Sequence, residues 1–309
     1  MNEKLKNDIM VALATVKKHG LDLQYLSDAM KKNKEVVSHA VKQNGMALEY
    51  ASEYLHNDKE VVLESVITNG LSLKYASKSL QNDKEVVMMA VKHKGSSFKY
   101  VSDRLKKDKE VAYEAVNNDG HVIYDVSDEF KKDKDILLAA VRYNGIHALQ
   151  HISDELANDR EFIISAMGYD NYILRVASDT LKNDEEFVYK CIQNYGKDVL
   201  GDASEELLKN KEFIMKVIRL SGPFYLEYIS DELRNDTEVV IEVVKQDGLS
   251  LQYVSDELRD NKDIVMTAVN QDGMSLKFAS NRLRHDEDVI LCAARNSGII
   301  IIKMYCIYV

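Results

Sequence analysis

Apolar residues in this chain recur in one fixed frame. After a polar opening such as Asn57-Asp58 they fall three, four, seven and eight places on: Val86, Val87, Ala90 and Val91 after Asp83, or Val239, Val240, Val243 and Val244 after Asp236. That spacing is one face of an α-helix of about three turns. The Asn or Asp at the start offers a side-chain oxygen to the free amides of the first turn. A Glu close behind predicts a returned bond of the capping-box kind. Basic residues gather at the other end (Lys17, Lys42, Lys92, Arg142, Arg219, Lys245, Arg295), where they suit the helix dipole.

The frame repeats with a period of about 25 residues. Glycine marks it at Gly20, Gly45, Gly70, Gly95, Gly120, Gly145, Gly196, Gly222, Gly248, Gly273 and Gly298, and Asn171 fills the one missing place. Glycine after a helix, with Asn as its substitute, predicts a C-cap in the left-handed backbone region. Twelve residues before each mark stands the polar cap, from Asp8 to Asp286. The stretch after the glycine, such as Leu71 to Leu80, sets Leu73, Ala76 and Leu80 on one side and predicts a second helix of similar length. Two such short helices cannot bury their apolar faces alone, so neighbouring copies must shield one another. The chain therefore reads as all-α, an α-solenoid of tandem helix-turn-helix hairpins. It forms a single array over residues 1–309 with about twelve repeats, the last one divergent. The final run, Ile299 to Val309, is apolar apart from Lys303 and replaces the expected helix, either as a hydrophobic plug over the last layer, the favoured reading, or as a truncated continuation of the array.

Composition narrows the function. Hydrophobic residues make up 45% and charged residues 30%, with one Pro and no Trp, as a helix-rich folded chain requires. A net charge of −10 argues against nucleic acid and anionic membrane surfaces, which call for a basic stripe. Cys191, Cys292 and Cys306 have neither metal-like spacing nor a disulfide pattern, which fits a reducing compartment. The start, Met1 to Lys6, leads into an amphipathic pattern rather than a signal peptide, and no stretch approaches a membrane span of about 20 apolar residues.

The phrases Tyr50-Ala51-Ser52-Glu53, Asn82-Asp83-Lys84-Glu85-Val86-Val87 and Leu251-Gln252-Tyr253-Val254-Ser255-Asp256-Glu257-Leu258 carry a resemblance. The chain resembles, from about Asn7 to Leu283, the repeat family catalogued as domain of unknown function 4116. The resemblance implies a short α-helical repeat and brings no activity, cofactor or catalytic residue. The cysteine usage and the start of the chain lead to the expectation of a cytoplasmic location, in a host's cytosol if the chain comes from an intracellular microbe or virus.

Candidate sites follow from what repeats and what does not. Serine recurs eleven times, from Ser27 to Ser280, in the same surroundings. A nucleophile appears once, so this serine reads as a small side chain bonding a carbonyl one turn back. Aromatic residues stand two places before it at Tyr25, Tyr50, Tyr75, Tyr100, Tyr228, Tyr253 and Phe278, either a ladder for gripping a protein or peptide or a set of rings bridging layers. Asp125, His151, Val176 and Asp202 interrupt the ladder, and Tyr113, Tyr124, Tyr143, Tyr169, Tyr172, Tyr189 and Tyr195 enrich the same stretch. Residues 113–202 are thus the expected selective surface, centred on Tyr124, Asp125, His147, His151 and Asp202. His147, His151 and Asp154 have zinc-like spacing but no further ligand, so no metal or other cofactor is assigned. The expectation is a non-enzymatic interaction scaffold with a protein or peptide partner. The alternative is an enzyme or small-molecule or metal binder with its pocket in residues 113–202.

Overall fold

The computed structural model describes residues 7–150, 152–221 and 226–297, and every regular element among them is helical. His151, Gly222, Gly298, Cys306 and the tail Ile299 to Val309 lie outside the described residues. No helix among the described residues is long and apolar enough to cross a membrane. The chain forms two compact units, Met1–Asp170 and Asn171–Val309.

In the first unit the long helices are α1 (Ile9–Lys18), α2 (Lys34–Gln43), α3 (Lys59–Thr68), α4 (Lys84–His93), α5 (Lys109–Asn118), α6 (Lys134–Asn144) and α7 (Arg160–Met167), each packed on the next. The second unit repeats the arrangement with α8 (Glu185–Tyr195), α9 (Lys211–Ser221), α10 (Thr237–Gln246), α11 (Lys262–Gln271) and α12 (Glu287–Ser297). The predicted face is the buried one. Val36, Val37, Ala40 and Val41 of α2 are fully buried, as are Val86, Val87, Ala90 and Val91 of α4.

The second half of each repeat departs from the predicted helix. After the glycine comes a 3-10 helix of six residues, as in Gly45–Tyr50 and Gly70–Tyr75. An extended residue and a single turn follow, Glu53–His56 in one copy and Leu80–Asn82 in the next. Polar side chains explain the break, because they offer backbone amides an alternative to a continuous helix. Asn44 accepts from the Met46 amide at 3.0 Å and Asn69 from the Leu71 amide at 3.1 Å, which opens the 3-10 helix. The recurrent serine then caps the next turn: Ser204 accepts from the Leu207 amide at 3.1 Å and Ser153 from the Leu156 amide at 3.3 Å. The same serine clips layers together. Ser77 donates its amide to the His56 carbonyl at 2.8 Å and its hydroxyl to Asn57 Oδ1 at 2.6 Å. Its hydroxyl in these copies is cap and clip, not a bond to a carbonyl one turn back, while the buried hydroxyls of Ser27 and Ser52 have no partner.

The glycines also act differently from the prediction. Only Gly145 (φ 54°) and Gly196 (φ 92°) among the described residues are left-handed, and Asn171 simply opens its own 3-10 helix, Asn171–Val176. Elsewhere glycine is needed for close approach. A Cβ on Gly20, Gly45, Gly70, Gly95 or Gly248 would overlap a backbone carbonyl oxygen of the next layer's long helix, that of Ala90 in the case of Gly70. Side-chain amides seal the same joint. Asn118 accepts from the Gly95 amide at 2.6 Å and donates to the Lys92 carbonyl at 2.7 Å.

An ion ladder joins the starts of the long helices. Lys59 reaches Asp83 at 2.8 Å and Glu85 at 2.9 Å, and Lys84 reaches Asp108 and Glu110, both at 2.8 Å. Lys34, Lys109, Lys211 and Lys262 repeat the pattern one layer on. The Glu expected to close a capping box is instead engaged by the preceding layer. The cap itself follows a rule of charge. Where the residue after a cap is Lys or Arg, the next cap is Asp; after Ile9, Glu185 and Thr237 the next caps are Asn33, Asn210 and Asn261. At Asp58, Asp83, Asp108, Asp133, Asp159, Asp236 and Asp286 a lysine of the preceding layer arrives to balance the ionised cap.

The ladder sets a pH window. Burial pushes the Asp58 carboxyl up, but Lys34 and the amides of Val61 and Glu60 overrule it and hold the group below its ordinary 3.8. Hydrogen bonds to Glu60 and Asp58 hold the Lys34 ammonium above its ordinary 10.5. The carboxylate contribution is complete above the unfolded value and is lost as pH falls through the lowered one. The lysine contribution is complete below its unfolded value and is lost as pH rises through the raised one. Calorimetry in low salt should give a melting temperature flat from roughly pH 5 to 9.5 that falls below about pH 4, with salt lowering the plateau.

Buried hydroxyls yield a prediction of opposite signs. Ser65 and Ser72 share a buried hydrogen bond of 2.7 Å, whereas the buried hydroxyls of Ser97 and Ser275 have no partner. Ala47 already occupies the Ser72 and Ser97 position in an earlier layer. Urea unfolding should show Ser97→Ala and Ser275→Ala neutral or stabilising by up to about 1 kcal/mol, and Ser72→Ala destabilising by about 1–3 kcal/mol.

Candidate interaction surface

Each unit presents two faces, one built by the 3-10 helices and one by the long helices. On the first, the aromatic positions form a row of Tyr25, Tyr50, Tyr75 and Tyr100 in the first unit, and of Tyr228, Tyr253 and Phe278 in the second. The 3-10 helices carrying them pack side by side within each unit. Tyr25 is 60% exposed and the other rings are half-buried. Cations cover several of them: Lys74 lies 4.4 Å from the Tyr75 ring centre, Lys99 lies 5.1 Å from Tyr100 and Lys277 lies 4.6 Å from Phe278. Tyr75 also donates its hydroxyl to Glu49 of the preceding layer at 2.7 Å. Burial, with Glu49 beside it, raises that phenol above its ordinary 10.0 against the pull of Lys74, so it stays a neutral donor.

The central residues are only partly brought together. In the first unit Asp125 and His147 are exposed, and Tyr124 donates its hydroxyl to the His147 carbonyl at 3.2 Å. Asp202 belongs to the second unit, where it accepts from Arg175 Nε at 2.8 Å, and the Arg175 guanidinium lies 4.5 Å from the Tyr172 ring centre. His151 is outside the described residues, and among the described ones no three His, Cys, Asp or Glu side chains form a metal-holding group. Burial pushes the Cys191 thiol up to about 11, which leaves it a protonated core residue.

The long-helix face carries an apolar column that holds few aromatic residues and no Asp, Glu, His, Lys or Arg. Five places after each cap stand Leu13, Ser38, Leu63, Met88, Tyr113, Leu138 and Ile164 in the first unit, and Tyr189, Met215, Ile241, Met266 and Leu291 in the second. Eleven of these twelve are apolar, yet only Met215 is buried. The position lies just off the packed face of the helix, so its side chain is half-covered by neighbours and half in water. In the first unit this gives an apolar stripe crossing α1 to α7. Acidic residues edge it at Glu35, Glu60, Glu85, Glu110, Asp135 and Glu161, and basic ones at Lys17, Lys42, Lys92 and Arg142. Between α5 and α6 the stripe deepens into a cleft of about 680 Å³ lined by Lys109, Tyr113, Asn117, Leu138, Arg142 and Tyr169. Tyr113, Asn117, Leu138, Arg142 and Tyr169 of this lining belong to the stretch 113–202, and Lys109 and Glu110 lie before it.

A family model described as "Domain of unknown function (DUF4116)" matches the chain six times in tandem, over residues 11–56, 58–106, 108–157, 159–209, 210–259 and 261–305. Each match takes in two of the 25-residue layers. No curated protein and no solved structure matches the chain.

Proposed function

We propose that this chain, which belongs to the DUF4116 family of repeats, is a non-enzymatic scaffold that binds another protein along its long-helix face. One observation carries the reading: the half-exposed apolar stripe Leu13, Leu63, Met88, Tyr113, Leu138 and Ile164, one residue per layer except at Ser38 of α2, edged by charge. Apolar side chains gathered in one column and rimmed by charge, rather than scattered singly, are the pattern of a protein-binding surface. Packed helices lie about 8–10 Å apart. An α-helix advances about 10 Å in seven residues, so a partner helix lying along the stripe sets one apolar residue against each layer per heptad. That is the helix-in-groove mode of recognition.

The test is a triple variant, Leu63→Lys, Met88→Lys and Leu138→Lys, compared with the parent in affinity capture. All three side chains are partly exposed, so the variant should unfold at the parent's temperature. It should lose the proteins that the parent enriches. Capture of the same proteins by the variant, or of none by the parent, overturns the reading.

A small-molecule or catalytic role draws on the cleft beside Tyr113 and Tyr169. It ranks second because most of the cleft's charged groups are already paired: Lys109 with Asp135 at 3.3 Å and with Asp133 at 2.7 Å, and Glu110 with Lys84 at 2.8 Å. A catalytic site needs such groups free to meet a substrate.

A further inference from the structure

On the opposite face of the first unit, one place breaks the acidic character of the chain. Residues 71–109 hold ten basic side chains against four acidic ones, a net of +6 in a protein of net −10. The structure gathers Lys74, Lys78, Lys99 and Lys106 around a cleft of about 800 Å³, between the layers opened by Gly70 and Gly95. Gln81 and Tyr100 also line it. Gln81 is buried and held in place, donating to the Leu73 carbonyl at 3.1 Å and accepting from Lys78 at 3.0 Å.

Two features mark these lysines. Lys34, Lys59, Lys84, Lys109 and Lys134, at the starts of the long helices, close ion pairs with the next layer, whereas none of these four has a carboxylate within ion-pair distance. Asp103 lines the cleft without pairing to any of them. The fold does not require the lysines either. Gln24, Asp28, Glu49 and His56 occupy the equivalent places two layers earlier, so the repeat packs equally well without them.

We propose that this cleft binds a compact soluble ligand carrying a diphosphate group. A terminal phosphate brings between one and two negative charges near pH 7 and the phosphate joined to it adds about one more, so a diphosphate concentrates among four ammonium groups a charge that would take about three carboxylates in the same space. Ammonium groups are compact, strongly hydrated point charges suited to phosphate oxygens. The nearby guanidinium of Arg104 is spent on Asn82, at 2.8 Å to both its side-chain and backbone oxygens. Acidic residues flank the cleft along the row, Glu49 and Glu53 on one side and Asp125 and Asp128 on the other, which repels an extended polyanion and favours a short one.

Calorimetric titration of the full chain with inorganic pyrophosphate in low salt tests this. Saturable one-to-one binding is expected, with orthophosphate and a heptaglutamate peptide at least tenfold weaker. Lys74→Gln combined with Lys99→Gln should weaken pyrophosphate binding at least tenfold. Lys92→Gln combined with Lys94→Gln removes the same charge away from the cleft and should leave binding within twofold. All four side chains are exposed, so an unchanged melting temperature confirms that each variant is folded. Absence of saturable binding, equal loss in both double variants, or tighter binding of heptaglutamate overturns the proposal. None of these results bears on the long-helix stripe, which a partner-capture experiment reads separately.

Discussion

Gly70→Ala should destabilise this protein by roughly 1–3 kcal/mol in urea unfolding, although the change adds one methyl group to a residue of ordinary backbone conformation. The reason is the neighbour. A Cβ at position 70 overlaps the Ala90 carbonyl oxygen and comes within 3.0 Å of Lys94 Cβ and 3.1 Å of the Lys94 amide. That oxygen cannot retreat freely, because it accepts the Lys94 amide at 2.9 Å as the last bond of α4. Two layers must therefore separate or the helix end must open. Control glycines sharpen the prediction. Gly168 meets only the Ser165 carbonyl, at 3.2 Å, so Gly168→Ala should stay within about 0.5 kcal/mol of the parent. Gly196 has nothing within 4 Å but a φ of 92°, so Gly196→Ala should cost about 1–2 kcal/mol through backbone strain alone. A Gly70→Ala midpoint equal to the parent's would contradict close approach as that glycine's purpose.

Phe98→Ala should cost more, about 3–5 kcal/mol, since it removes one of the largest fully buried side chains and leaves a cavity between layers. Leu23, Leu48, Leu73, Leu251 and Leu276 fill the same register in other repeats, all within 1% of complete burial. Phe98→Leu should accordingly cost less than about 1.5 kcal/mol. Urea unfolding followed by circular dichroism separates the two variants. A loss below about 1 kcal/mol for Phe98→Ala would show that this register is not part of the shared core.

Much of this architecture was legible in the sequence because its determinants are local. The cap at Asp83 and the apolar residues Val86, Val87, Ala90 and Val91 lie within nine residues, and the helix they predict is Lys84–His93. Misreadings arose where the deciding partner lies one layer away. Leu73, Ala76 and Leu80 fit a helical face, but the serine at 77 is clipped to His56 and Asn57 of the preceding layer, and the chain turns extended at Ala76 (ψ 152°). Gly70 resembles a left-handed C-cap until Ala90 is placed against it. Glu85 resembles half of a capping box until Lys59 reaches it from the previous copy.

The candidate surfaces were less legible for a related reason. Aromatic positions draw notice, and the row from Tyr25 to Tyr100 does share one face, yet most of its rings are half-buried joints between layers. Leu63, Met88 and Leu138 look like ordinary core residues in sequence. Only the angle of each helix to its neighbours leaves them half in water. The cleft lysines Lys74, Lys78, Lys99 and Lys106 are spread over 33 residues and meet only when two layers stack.

The central claim is that each layer is held by its immediate neighbours and carries no long-range requirement of its own. Deleting residues 84 to 108 removes one whole period and joins Asp83 to Lys109, which restores the phrase Asn82-Asp83-Lys109-Glu110-Val111 and hands Lys59 the same acidic partners through Asp83 and Glu110. Circular dichroism and urea unfolding of this shortened chain should show the parent's helicity per residue and a cooperative transition with a slightly smaller urea dependence. An unfolded or aggregated product, or a helicity loss larger than the one deleted layer, would contradict the account.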